Sequence, residues 1–170
     1  IPELHALCSK LIVHLDERLI PLFSRSFPSN IEYRPRHKTI YENEYDTHIP
    51  MGSLPQYFRK TVESFKSTSR GWLSANEEQA KGLREKLLTG DTEKLIGISW
   101  HSTIPRLGAE AKVISLAQLA KKLQAPKIKL INLQYGDVDE ELCSLRKESG
   151  IEIVQVSEID NKNDIDGLAS

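Results

Sequence analysis

The sequence predicts an α/β protein built on parallel sheets, and three observations carry that prediction. Short, branched apolar runs recur along the chain: Lys10-Leu-Ile-Val-His-Leu15, Lys94-Leu-Ile-Gly-Ile-Ser-Trp100, Lys129-Leu-Ile-Asn-Leu-Gln134 and Ile151-Glu-Ile-Val-Gln-Val156. Segments with helical apolar spacing fall between them, at 77–88, 115–123 and 138–149. Strands separated by helix-length segments favour parallel pairing, because a parallel strand needs a crossover connection.

Taken in order, Pro2 to Ser9 reads as the end of a helix and 10–15 as a strand. Asp16 is a good N-cap for a short helix over Arg18 to Ser26, with Leu19, Leu22 and Phe23 facing inward. A weak strand is expected at Ile31 to Arg34, and a short one at Tyr45 to Ile49 that ends at Pro50. Gln56 to Arg59 reads as a short helical piece. Asn76 caps the helix over Glu77 to Leu88, which stops at Thr89-Gly90-Asp91. The strand at 94–100 runs into a polar loop, His101 to Lys112, and then into the helix at 115–123. Strand, helix and strand follow again, with Leu142 and Leu145 turned inward on the second helix. Glu158 to Asp166 is an acidic loop. Three parts result: a first α/β segment over 1–70, a connecting helix over 71–93 and a second α/β segment over 94–170.

The 170 residues carry 28% charged and 39% hydrophobic side chains and a net charge of −1, so nothing in the balance calls for nucleic acid or an anionic membrane. The cluster Arg34-Pro-Arg-His-Lys38 sits in a Pro-broken loop and reads as solvated surface. No apolar run reaches the ~18 residues that a membrane helix requires. Cys8 and Cys143 fall on apolar helical faces outside any CxxC pair, which predicts buried free thiols in a reducing, cytoplasmic compartment. Trp72 and Trp100 are expected in the core. The chain opens on Ile-Pro-Glu-Leu and stops at Asp166-Gly-Leu-Ala-Ser170, and it is expected to be an internal fragment of a longer protein, incomplete at both ends.

Several strings together resemble a known family: Pro21-Leu-Phe-Ser-Arg-Ser-Phe-Pro28, Ile49-Pro-Met-Gly-Ser-Leu-Pro-Gln-Tyr-Phe-Arg59, Ile96-Gly-Ile-Ser-Trp100, Leu133-Gln-Tyr-Gly-Asp137 and Asn163-Asp-Ile-Asp-Gly167. They look like the bacterial GT-B glycosyltransferase-like domains that often follow tetratricopeptide repeats and are related to heptosyltransferases and, more distantly, to O-linked N-acetylglucosamine transferases. The resemblance implies two Rossmann-like domains facing each other across a cleft. Residues 1–70 would be the C-terminal part of the acceptor-side domain, and residues from 94 the N-terminal part of the donor-side domain. It implies sugar transfer from a nucleotide-sugar donor to a glycan or protein acceptor. No Asp-X-Asp is placed at a strand end for a divalent metal, since Asp137-Val-Asp139 opens a helix, so the transfer is expected to need no metal and no separate cofactor. The fragment itself, lacking both the nucleotide loop and the acceptor-domain catalytic carboxylate of the family, is expected to be inactive.

By the same resemblance Lys112, in Lys112-Val-Ile-Ser115-Leu116, contacts the donor diphosphate, with Ser115 beside it. The chemistry agrees, since a diphosphate leaving group accumulates negative charge that a fixed cation near a helix N-terminus offsets. His101 and Arg106, with Gly108, are further candidates for that anion, and Gln134 and Tyr135 for the base or ribose, because they leave the ends of strands. Asp137 reads as a helix N-cap. Tyr57 and Arg59 are candidates for the interdomain cleft. No catalytic residue is identified. The chain has no GxSxG, P-loop, HExxH or GxGxxG string. Family members usually carry Arg and small residues after the Ser-Trp, where this chain has His101-Ser-Thr-Ile-Pro105. That departure motivates the alternative of a non-catalytic α/β interaction module with the same fold. Exposed sheet edges would favour a homodimer.

Overall fold

A computed structural model describes residues 1–65, 71–102 and 114–170. By internal contacts the chain forms two units, Ile1–Ser74 and Ala75–Ser170, so the helix expected as a connector falls inside the second. Each unit is an α/β arrangement on a parallel sheet.

In the first unit a short helix α1 (Pro2–His5) precedes strand β1 (Ile12–Leu15), helix α2 (Ile20–Ser26) and strand β2 (Glu32–Pro35). The strands pair in parallel, Val13 opposite Tyr33 and His14 opposite Arg34. Alternation buries Val13 and Leu15 with Leu11 and Ile31, and Leu4, Leu19 and Phe23 pack against them. Asp16 caps as its sequence position predicts: its carboxylate accepts the Arg18 N–H at 3.1 Å at the head of a 3-10 turn, Glu17–Leu19, that leads into α2. The ring of Phe23 stacks obliquely on Phe27 at 5.5 Å and meets Tyr33 edge-on at 6.3 Å. Tyr45 to Ile49 forms no strand, because no ladder pairs with it among the described residues. A one-turn helix, α3 (Pro55–Phe58), follows.

The second unit starts with α4 (Glu77–Leu87), capped by Asn76, whose Oδ1 accepts the Gln79 N–H at 3.2 Å. Then come β3 (Lys94–Ile98), α5 (Leu116–Leu123), β4 (Ile128–Asn132), α6 (Asp139–Ser149), β5 (Ile153–Val154) and α7 (Ile165–Leu168). The three strands lie side by side in chain order, all parallel, so their carboxyl ends share one edge. One sheet face, with Ile98, Leu130 and Ile153, packs on Leu116 and Ala120 of α5 and on Leu142 and Leu145 of α6. Ala120 is wholly buried within this cluster. Gly150 ends α6 at φ +71°, a conformation in which any Cβ is strained.

Two expectations about burial fail. Both thiols are exposed. Cys8 lies beyond the end of α1, and Cys143 follows Leu142, so the 100° step of the helix turns it away from the buried stripe. Trp72 is 54% exposed in an irregular segment, whereas Trp100 is 2% exposed and belongs to the core.

Candidate functional site

The carboxyl edge of the second sheet is where the sequence places its candidate ligands, and it is organised around one buried amide. Gln134, two residues past β4, is 1% exposed. Its Oε1 accepts the Ser99 hydroxyl at 2.8 Å, the Trp100 N–H at 3.1 Å and the His101 N–H at 3.2 Å. Its Nε2 donates to the carbonyl of Tyr135 at 3.1 Å. Three donors on one oxygen and a carbonyl facing the nitrogen fix which end of the amide is which.

Asn132, the last residue of β4, accepts the Gln134 N–H on Oδ1 at 2.8 Å and so curls the chain as it leaves the sheet. From the segment after β5, Asn161 donates through Nδ2 to the carbonyls of Asn132 and Gln134, each at 3.1 Å. The exits of all three strands are thereby joined by side-chain amides. Neither Asn132 nor Asn161 is singled out by sequence reasoning. Asn132 does leave a signal, a polar residue inside an apolar strand run, while Asn161 stands in a polar segment with nothing to distinguish it.

Trp100 closes the neck of the loop that follows β3. Its carbonyl accepts the N–H of Ile114, where the described chain resumes, at 3.2 Å. Its indole Nε1 donates to Glu141 Oε2 at 2.9 Å, and the same oxygen lies 3.8 Å from His101 Nε2. The His101 ring stands edge-on to the indole at 5.8 Å. Half-buried and beside a carboxylate, His101 faces α6 across this contact. Lys112, Arg106 and Gly108 lie outside the described residues.

The two helices that start at this edge differ in charge. The first turn of α6 carries Asp139, Glu140 and Glu141, which match the positive end of its own dipole and repel an anion. Asp137 is not the N-cap, a position held by Val138, but its Oδ1 accepts the Asp139 N–H at 3.3 Å. The first turn of α5 carries no acidic residue, and exposed Ser115 at its N-cap makes no capping hydrogen bond through its side chain. Of these two helix starts, α5 is the one whose field favours an anion.

No family model and no solved structure matches this chain. Protein FlbA of Caulobacter vibrioides is similar to it. The two are 30% identical over 178 aligned residues, which take in 94% of this chain and 29% of FlbA. The chain therefore spans under a third of the length of that curated relative.

The remaining candidates stand in the first unit. Tyr57 is 64% exposed. Arg59 is engaged within that unit: its two terminal nitrogens reach the two Glu3 oxygens at 2.6 and 2.8 Å, and its guanidinium lies 5.9 Å from the centre of the Phe65 ring. A hollow of about 460 Å³ there is lined by Glu32, Arg34, Lys38, Tyr41 and Glu44. Arg34 is held in it by Glu32 and by Glu44, the latter at 2.8 Å, which cancels its charge. In the second unit a hollow of about 380 Å³ lies against the sheet between α4 and α7, lined by Leu83, Leu87, Gly97 and Ile131. Neither hollow includes His101 or Gln134. Among the described residues no three of His, Cys, Asp and Glu are grouped to hold a metal ion, and no helix is long and apolar enough to cross a membrane.

Proposed function

We propose that this chain is part of a GT-B-type glycosyltransferase and that the carboxyl edge of its second sheet belongs to the nucleotide-sugar donor site. The observation that carries the reading is the contrast between the two helix starts on that edge. Carboxylates crowd the start of α6, and none stands in the first turn of α5, which begins at Leu116, four positions after Lys112 in the sequence. A diphosphate leaving group is stabilised by a lysine ammonium and by unpaired helix N–H groups, and needs no metal when those are fixed in place. The parallel order of the three strands supports the same reading, since ligands of open α/β sheets bind beyond the carboxyl ends of the strands. The acceptor is a glycan or a protein side chain, and the first unit belongs to the acceptor-side domain.

The test is a calorimetric titration with UDP, GDP and ADP sugars. It uses this chain and a version lengthened at its carboxyl end by about one domain (~100 residues). Binding by the longer version, weakened at least tenfold by Lys112→Ala, is the expected result. A longer version that is folded and binds none of the three overturns the donor-site reading and favours a non-catalytic interaction module.

A further inference from the structure

We infer that Gln134 is a positioning residue for the exit of β3, Ser99 to His101, and that its side chain does not contact the ligand of this edge. Its place at a strand end invites the opposite assignment, a contact to the base or ribose. The geometry argues against that use. The side chain is 1% exposed, its oxygen receives three donors from Ser99, Trp100 and His101, and its nitrogen faces a carbonyl. An amide oxygen has two lone pairs, so three donors already saturate it.

The consequence is specific. Consecutive backbone N–H groups at a strand exit form the kind of nest that otherwise cradles an anion. Here the N–H groups of Trp100 and His101 are turned onto Gln134 and leave none at these positions for a phosphate. Gln134 therefore fixes Ser99, Trp100 and His101, and the Ile114 N–H on the Trp100 carbonyl adds a further hold at the same strand exit. Asn161 extends the brace to the third strand exit by holding the carbonyls of Asn132 and Gln134. Side-chain amides thus link the three exits to one another.

The effect on ligand affinity rests on the donor-site reading; the positioning itself does not. The experiment therefore has two arms. In the first, amide hydrogen exchange is followed residue by residue in the unliganded chain, for the natural sequence, Gln134→Met and Gln134→Glu. Methionine keeps the length and removes every partner, while glutamate keeps acceptor oxygens. We expect exchange at Trp100 and His101 to accelerate about tenfold or more in Gln134→Met, with Leu145 in α6 unchanged, and to stay slow in Gln134→Glu. Where Gln134→Met does not fold, Asn161→Ala serves, with faster exchange at Gln134 and at the β3 exit as its expected result. The second arm measures affinity for the nucleotide diphosphate bound best by the lengthened chain. Affinity falling in Gln134→Met and retained in Gln134→Glu supports positioning. Affinity lost equally in both, with exchange at Trp100 and His101 unchanged, overturns it and makes Gln134 a direct contact. Faster exchange in a protein that binds no nucleotide leaves the positioning role standing and removes the donor-site reading alone.

Discussion

A Cβ atom built on Gly97 would stand 2.3 Å from Cδ1 and 2.9 Å from Cγ of Leu133, far inside van der Waals contact. Gly97 pairs with Ile131, one position before the end of the β3–β4 ladder, and Leu133 folds back over the vacant position. The glycine is there for packing: this is close approach of a neighbour, and its φ is not in the left-handed region. Gly97→Ala forces the Leu133 side chain into another rotamer. Leu133 is 38% exposed and has room to swing outward, so the cost is about 1 kcal/mol, at the low end for overpacking. Urea unfolding followed on the second unit checks this. The double variant Gly97→Ala/Leu133→Ala should show a smaller penalty than the sum of its parts, and strict additivity would mean that the two positions do not clash.

How much of this was legible in the sequence depends on whether the signal was local. The strands at 12–15, 94–98 and 128–132 and the caps at Asp16 and Asn76 are written in runs of a few residues, and these features stand where the sequence puts them. The segment at 45–49 has strand composition and no strand, because a ladder depends on a neighbour that composition does not encode. At the site, His101, Gln134 and Tyr135 were visible as strand-exit residues. That Gln134 would spend its amide on Ser99 and on two backbone N–H groups more than thirty positions earlier was not, since no local pattern specifies a long-range hydrogen bond.

Acid should weaken the first unit through a set of paired carboxylates. The Arg18 side chain holds the Asp16 carboxyl at about 2, well below its ordinary range, with the Arg18 N–H adding to the effect. Lys10 and then Arg34 hold Glu32 low, and the Tyr41 N–H and then Arg34 do the same for Glu44. A carboxyl whose folded pKa lies below its unfolded one contributes stability above the unfolded value and loses it as pH falls. The contribution of Asp16 should therefore be complete above its ordinary value of 3.8 and disappear as pH falls through about 2. Those of Glu32 and Glu44 should fade below their ordinary value of 4.5. Unfolding midpoints measured between pH 6 and pH 2 on the natural sequence and on Glu44→Gln check the point. The variant should show a shallower acid limb, and parallel curves would remove Glu44 from the account.

Both thiols should react in the native protein. Cys8 and Cys143 are exposed, and neither is paired in a disulfide. A chromogenic aromatic disulfide added without denaturant should titrate both, and Cys143→Ser should reduce the count to one. Only partial reaction until urea is added would return the thiols to the interior, where their apolar sequence neighbours first suggested they lie. Because Cys143 stands off the buried stripe of α6, Cys143→Ser should change stability by less than about 0.5 kcal/mol.

Lys129 ties the end of α4 to the sheet. Its Nζ donates to the Leu87 carbonyl at 2.6 Å and to the Thr89 hydroxyl at 3.0 Å. Leu87 is the last residue of α4, and its carbonyl, a terminal acceptor with no partner inside the helix, is shared by the Lys129 ammonium and the Thr89 N–H at 3.0 Å. A lysine there helps to satisfy that acceptor and sits at the negative end of the helix dipole. None of the α4 side chains is fully buried, so the helix has little apolar packing to hold it against the sheet. Lys129→Met keeps the aliphatic stem and removes the ammonium, and should cost about 1 kcal/mol. Hydrogen exchange in the last turn of α4 should accelerate while the β3–β4 ladder remains protected, because α4 can fray without opening the sheet. Equal acceleration in the helix and the ladder would show instead that α4 and the sheet open as one unit, and that Lys129 stabilises the whole second unit.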